Sequence, residues 1–548
     1  MRNPAIRRWD RETALVAGLA ACISVISFIF YFRHDAVLLY GDAVAHINIA
    51  RRVFDSRTPG LLQLGTVWLP LPHLLIIPFL FSDWAWRTGA GGSVPSMLAY
   101  VLGTIGIFRL VRNALSFRTQ SDAAARIAAW LAAIVFGANP NLIYLQTTAM
   151  TEGLYLALFI WAVVYFFELA QQAALGDHEL EASASTSSMK CGLCLMGTCF
   201  TRYDGWFLTV VTFAAAVAVV HKAKHSGLKD LRRFALLVAV APALWLAYNA
   251  IIYRNPLEFA NGPYSARAIE QKTSRPGYPP HPGTHNLPVA GSYFLKSAEL
   301  NVAAGSWQRL WVVLLLMGTA MSLIFNHRLW PLLLLWVPFP FYMLSIAYGG
   351  VPIFLPEWWP FSYYNVRYGL EMLPAFAVFA ALAMHFMAGL VQNNTAKSLI
   401  RVAVFIFVVG SYWSAWHAQP VCYGEAWINS RSRIALETGL AARLKTLPAN
   451  STLLMYLGDH VGAVQQAGIP LRRVINEGNH RTWRQPSDPE GLWEQALSNP
   501  SKHADFVVAT EGDPVSVRLQ VSGLVRIAQI QVPGQATTII YATHSQPQ

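Results

Sequence analysis

Apolar runs of about twenty residues, divided by short connections carrying arginine and lysine, recur along the chain from Thr13 to Trp413. A helix needs a run of roughly that length to cross the hydrocarbon core of a bilayer. Each such run must satisfy its backbone polar groups internally, so a helical bundle is the architecture open to the chain. Composition agrees: 54% of the 548 residues are hydrophobic and only 13% are charged. That balance is too apolar for a water-soluble protein of this length. The expected fold is mainly α: a polytopic transmembrane bundle of about eleven spans followed by a small C-terminal α/β domain.

The net charge of +12 invites a nucleic-acid reading. However, the basic residues lie mostly in the connections between apolar runs, where they set membrane topology. No nucleic acid is expected as a partner; a lipid bilayer with anionic headgroups is. The five cysteines are Cys22, Cys191, Cys194, Cys199 and Cys422. Cys191 and Cys194 have redox or zinc spacing, but no histidine or second pair stands beside them. They read as small apolar residues packed in a membrane helix. Cys422 stands alone in the C-terminal region, so a disulfide within that region is not available. No metal-ligand pattern is visible, and a divalent cation is left open as a cofactor.

Arg2, Arg7, Arg8 and Arg11 precede the first run. This flank makes residues 13–32 an uncleaved anchor with its N-terminus in the cytoplasm. Residues 33–93 then form a long outer loop. Within it, 43–54 reads as an amphipathic helix lying on the membrane, and 74–81 as a short re-entrant or interfacial helix. The Ser-rich, acidic segment 176–188 reads as a flexible cytoplasmic loop. Residues 253–306 form a large outer loop whose Pro-rich stretch 279–285 has no regular structure. An odd number of spans leaves the C-terminus outside. Residues 432–446 and 492–497 look helical, while 453–457, 506–509, 524–531 and 537–541 look like strands. Residues 511–514 read as a turn. The chain thus divides into a membrane domain, 1–415, and an extracytoplasmic α/β domain, 416–548. One strain runs through this assignment. Arg33, Arg51, Arg52 and Arg57 lie in the first outer loop, against the positive-inside rule. Either the sidedness fails there or those arginines are engaged, for instance by phosphates.

The stretch Tyr40-Gly-Asp42-Ala-Val-Ala-His46 follows the first span. Asp42 is a carboxylate at the membrane border, which suits either a helix N-cap or a functional acid. The same topology places His46 beside it, and Glu152, Arg202, Asp204 and Arg367 from three other loops, each at the lip of a span on the outer face. Each alone has a plain explanation as a cap, a snorkelling arginine or a surface acid. Together they describe a cavity in which carboxylates face guanidinium groups. Transfer of a sugar from a lipid phosphate needs such a pairing. A base takes the proton from the acceptor hydroxyl, and cations hold the departing phosphate. Arginine matches phosphate oxygens with its planar fork.

Gly41-Asp42 after one span, then Pro70-Leu-Pro-His73 leading into a short apolar helix, resembles the C-type superfamily of membrane glycosyltransferases. Asn365-Val-Arg367-Tyr368-Gly-Leu-Glu-Met-Leu-Pro374 resembles the Arg-Tyr-Leu-Leu-Pro type segment of its protein O-mannosyltransferase and lipid A aminoarabinose transferase branch. The resemblance covers roughly residues 10–415. It implies a polyprenyl-phosphate donor carrying a hexose or pentose, inversion at the anomeric carbon, and the first-loop aspartate as base. Carried over, Asp42 is the base and Glu152 a supporting acid. Arg202 and Arg367 bind phosphate, and His46, His73, Tyr203, Asp204 and Tyr368 fall to substrate binding. The family often carries paired acids in the first loop; here Ala43 follows Asp42, and His46, one helical turn on, is the residue placed to orient it or touch phosphate. The acceptor, whether glycan, lipid or protein, is not named by these residues. The other readings are a transporter or flippase for a lipid-linked saccharide and a scaffold whose outer domain binds a partner. The transporter reading demands charges at mid-span and paired broken helices, and no such repeats are visible.

Overall fold

The structure is a computed structural model that describes residues 10–116, 123–175, 181–222, 228–266, 268, 280–480, 489–519 and 523–544. Among these, nine helices are long and apolar enough to cross a membrane. They begin with Arg11–Arg33, which Asp10 caps by accepting from the Thr13 amide at 2.9 Å. Two helices at other expected span positions are not among the nine. Ala123–Gly137 has 15 residues, and the first half of Glu181–Cys199 is polar. The third expected span, 127–144, stops early. Asn139 accepts from the amides of Asn141 and Leu142, Pro140 opens a new helix, and the chain turns.

The bundle has a buried centre and a lipid-like rim. Helices Glu152–Leu175 and Leu373–Leu390 are enclosed by protein along most of their length. Leu15 and Ile26 on the first helix, Leu236, Ile251, Ile324 and Ile406 present bare hydrocarbon outward. A continuous apolar exterior of this kind is stable only in a bilayer. Near the centre, helix Trp307–Phe325 crosses Leu373–Leu390 so closely that a β-carbon on Gly318 would overlap the backbone of Phe379. Small residues at such crossings let membrane helices approach.

Residues 176–180 of the expected cytoplasmic loop lie outside the described residues. Glu181–Ser188, the rest of it, is helical rather than loop, because it forms the first turns of Glu181–Cys199. In the large outer loop, residues 267 and 269–279 lie outside the described residues. The part from 280 to 285 is turn and coil, and Asn286 then caps a 16-residue helix, Leu287–Val302.

After His417 a bend at Pro420 starts a 24-residue helix, Val421–Leu444, which begins earlier than the expected 432. It leads to a five-stranded sheet of order β2-β1-β3-β5-β4. The strands are β1 (Leu453–Met455), β2 (Val474–Ile475), β3 (Phe506–Thr510), β4 (Val525–Ile530) and β5 (Thr538–Ala542). β1, β2 and β3 run parallel, and β5 is antiparallel to both β3 and β4. The two-residue β2 was not anticipated; it is too short to show a pattern.

The helix expected to lie on the membrane, Gly41–Arg52, is instead buried over Ala43, Val44 and His46 to Arg51. Its polar face has protein partners. Asn48 donates to Gln465 of the C-terminal domain at 2.6 Å and accepts from the Trp86 indole at 3.0 Å, while Gln465 donates to the Trp86 carbonyl at 2.7 Å. Three of the four arginines that strained the topology are engaged by protein groups; Arg33 is exposed. Arg51 pairs with Asp55 at 2.9 Å and Asp83 at 2.7 Å, Arg52 with Glu477 at 3.7 Å, and Arg57 donates to Thr452 at 2.7 Å. Asp55 in turn accepts from the amides of Leu471 and Arg472, both at 3.3 Å. They hold the segment between the first two spans to itself and to the C-terminal domain.

The Gly318 crossing is directly testable. Gly318→Val should force the two central helices apart and cost about 1–3 kcal/mol, read as a lower thermal unfolding temperature in detergent. An unchanged unfolding temperature would mean that the helices do not pack this closely.

Candidate functional site

Asn365 takes a left-handed backbone conformation (φ 57°) and starts the 3-10 turn Val366–Met372, which runs into the helix Leu373–Leu390. Asparagine is among the few residues that adopt this geometry at low cost. The turn is clamped from behind. Ser297 and Asn301 both donate to the Val366 carbonyl, at 2.7 and 2.6 Å. Gly369 lies against the Ser297 backbone, where any β-carbon would collide. Arg367 is therefore aimed by backbone contacts before its side chain meets any partner.

The Arg367 guanidinium is buried and holds three carboxylates from three parts of the chain. Nη2 is 2.6 Å from Asp42, Nε is 3.0 Å from Glu152, and Nη1 is 3.1 Å from Glu425. Its own amide donates to the second oxygen of Glu425 at 3.2 Å. Glu425 also accepts from the Tyr40 hydroxyl at 3.4 Å. Arg202 repeats the arrangement beside it. It meets the same Glu152 oxygen at 3.3 Å, Asp204 at 3.0 Å and Glu371 at 3.2 Å, and donates to the Tyr342 hydroxyl at 2.8 Å. Tyr342 donates to Glu371 at 2.7 Å and lies 3.0 Å from Asp204. The ring of Tyr368 lies between the two cations, 4.8 Å from Arg202 and 5.0 Å from Arg367. Two guanidinium groups thus serve five carboxylates, in a setting where each hydrogen-bonded pair is stronger than in water.

Glu152 links the halves. It is fully buried, one oxygen faces both arginines, and the other has no hydrogen-bond partner among the described residues; the same holds for Glu371. Asp42 differs from all of these, because 40% of its side chain is exposed. It is not an N-cap. The helix begins at Gly41, the cap position is Tyr40 with no side-chain bond, and Asp42 sits in the first turn. There the helix dipole still favours its ionised form. Asp42 also lines a cavity of about 630 Å3 between this helix and the C-terminal domain.

The remaining expected residues lie apart from the arginine cluster. His46 Nδ1 bonds His73 Nε2 at 2.9 Å and packs on Trp68, rather than reaching Asp42. Burial, then the nearby positive charges of Arg367 and Arg202, pull the His46 imidazole down to about 3. It is neutral at ordinary pH and supplies no cation. Tyr203 stacks on Phe259 at 5.0 Å and accepts from the Trp245 indole at 3.2 Å. Among the described residues no three His, Cys, Asp or Glu side chains form a group that could hold a metal ion.

Three members of the cluster were not picked out from the sequence: Tyr342, Glu371 and Glu425. Glu371 had a signal, being an acid four residues after Arg367 at the start of an apolar run. Tyr342 looks like any aromatic residue of a span. Glu425 lies beyond the last span, where acids are ordinary.

No family model matches the sequence, and neither does any curated protein. The fold does have solved relatives. ArnT from Cupriavidus metallidurans bound to undecaprenyl phosphate matches with a TM-score of 0.54 at 13% identity, over 98% of this chain and 99% of that one. The same protein in the apo state matches at 0.53 and 12%, over 96% and 99%. The oligosaccharyltransferase of Archaeoglobus fulgidus in the apo form aligns at 0.47 and 12%, over 97% of this chain and 74% of that one. The chain shares the overall fold of the ArnT structures, a transmembrane helical bundle with a small C-terminal sheet, which is the architecture expected from its sequence. At this level of identity the ArnT likeness is one of architecture, from end to end of both chains.

The buried histidine generates a pH test. His46 titrates near 6.5 when unfolded and near 3 when folded. Between those values the unfolded chain binds more protons, so acid favours unfolding. Its contribution is intact above about pH 6.5 and falls by about 1.4 kcal/mol for each unit below that. His46→Gln keeps a donor toward His73 and removes the titration. The stability difference between wild type and variant should therefore shift against wild type from pH 7 to pH 5 in detergent unfolding. A difference that does not move with pH would place His46 in water.

Proposed function

We propose that the chain is an integral membrane glycosyltransferase. It moves a sugar from a polyprenyl-phosphate donor to an acceptor on the outer face of the cytoplasmic membrane. In this reading the N-terminus is cytoplasmic and the C-terminal domain extracytoplasmic. The observation that carries the proposal is the ion pair between Arg367 and Asp42. It joins a buried, phosphate-matching cation to a half-exposed carboxylate that opens on a cavity. The architectural likeness to ArnT, bound there to undecaprenyl phosphate, supports a lipid phosphate as the donor's anchor.

The steps follow from that geometry. A donor phosphate takes over Arg367 Nη2, now held by Asp42, and is steadied by Arg202. Asp42 is released as a carboxylate facing the cavity. It removes the proton from an acceptor hydroxyl, and the acceptor oxygen attacks the anomeric carbon from the side opposite the phosphate. The bond from that carbon to the phosphate oxygen breaks with inversion, and the electron pair leaves on polyprenyl phosphate. The two guanidinium groups stabilise the departing charge. Glu152, Glu371 and Glu425 hold the arginines in place and neutralise them between turnovers.

Asp42→Asn preserves shape and most hydrogen bonding but cannot accept the proton. With a panel of polyprenyl-phosphate sugars in native membranes, release of polyprenyl phosphate should fall by about 10²–10⁴-fold. Affinity for undecaprenyl phosphate in purified protein should be kept. Wild-type turnover in the variant would remove Asp42 from the base role.

A further inference from the structure

The cavity beside Asp42 has walls from both halves of the chain. Asp42 and Trp68 come from the first outer loop, Asn429 and Glu437 from the helix Val421–Leu444, and Glu511 and Gln535 from loops at the sheet's end. Its volume of about 630 Å3 falls in the range of pockets that enclose small ligands, about 300–1,000 Å3.

The charged groups in these walls are mostly carboxylates. Arg433 also lines the cavity, but two of its three nitrogens are engaged. Nη1 binds Glu437 at 2.7 Å, and Nη2 binds the Leu38 and Leu39 carbonyls at 3.0 and 2.9 Å. The Asn429 amide donates to the Tyr363 carbonyl at 2.9 Å, and the Gln535 amide donates to Ser432 at 2.9 Å. Each leaves its oxygen and one N–H. Asp513 is occupied by the amides of Thr510 and Ser516, at 3.0 and 2.6 Å. That leaves the carboxylates of exposed Glu511 and half-exposed Asp42 facing the space. Among the described residues, an anionic group entering it meets Asp42 and Glu511, while the one arginine in the walls, Arg433, is already paired with Glu437 and His460 is buried. Hydroxyl or ammonium groups, as donors, match the walls. Trp68, half-buried and packed against His46 with ring centroids 4.8 Å apart, adds an aromatic ring to the wall.

We infer that this cavity is the acceptor subsite, and that it takes a hydroxyl-rich saccharide of neutral or positive charge while rejecting anionic ones. The inference rests on the reading of Asp42 as the base, since Asp42 forms its inner wall. Arg433 couples the two, because it ties the cavity helix to the backbone just before Tyr40.

The test uses full-length protein in lipid nanodiscs and three probes of equal length: trimers of glucosamine, of N-acetylglucosamine and of galacturonic acid. Binding is measured for each, and separately for undecaprenyl phosphate. Expected is an order of glucosamine, then N-acetylglucosamine, then galacturonic acid, with about tenfold between the first and last. Glu511→Lys lies on an exposed residue and should shrink or reverse that order while leaving undecaprenyl phosphate binding as in wild type. The inference is overturned if galacturonic acid trimer binds as well as glucosamine trimer, if Glu511→Lys leaves the order unchanged, or if undecaprenyl phosphate binds and no trimer does. If the trimers bind in the expected order and undecaprenyl phosphate does not bind wild type, the lipid-phosphate reading fails and the saccharide subsite stands.

Discussion

One guanidinium ties this molecule together. Arg367 contacts the helix Gly41–Arg52 through Asp42, the fourth expected span through Glu152, and the helix that leads to the C-terminal domain through Glu425. A buried arginine is tolerated only where its donors are met and its charge is balanced. Here both conditions need segments that are hundreds of residues apart to arrive at one point. The backbone clamp from Ser297 and Asn301 supplies the aim, and the carboxylates supply the balance. Arg202 extends the same network, so the cluster behaves as one unit that shares Glu152.

The C-terminal domain is part of that unit. Glu425 belongs to its leading helix. Arg433, one helical stretch later, holds the carbonyls of Leu38 and Leu39. Gln465 and the Asp55 contacts fix the first outer helix from the other side. The helix bearing Asp42 is therefore wedged between membrane bundle and α/β domain, and its carboxylate position depends on both. Three of the arginines between the first two spans, Arg51, Arg52 and Arg57, have protein partners.

How much of this was legible in the chain depends on the range of the interaction. Spans were legible because hydropathy is a local property, the strand 506–509 because a short apolar run is local, and the strands 524–531 and 537–541 because alternation is local too. The acid Asp42 at the start of a helix was visible, but its role in that helix was not. A cap and an arginine partner look alike until Arg367, 325 residues away, is brought to it. The helix 41–52 was misjudged for a related reason. Asn48 and Arg51 make a polar face that reads as water-facing, whereas each is spent on a side chain or carbonyl supplied by distant folding. Glu425 left no trace at all, since only the bend at Pro420 turns it inward. The serine-rich stretch 181–188 shows the opposite limit, with composition pointing to a loop and neighbouring turns continuing a helix through it.

The central claim is that donor phosphate replaces Asp42 on Arg367 and thereby frees the base. It is tested most directly by a cryo-electron microscopy structure of the full-length protein in a nanodisc with undecaprenyl phosphate. The account predicts phosphate oxygens about 2.7–2.9 Å from the Arg202 and Arg367 guanidinium groups, with the Asp42 carboxylate moved off Arg367 toward the cavity. A phosphate bound away from these arginines, or one bound with the Asp42–Arg367 pair intact, would contradict it.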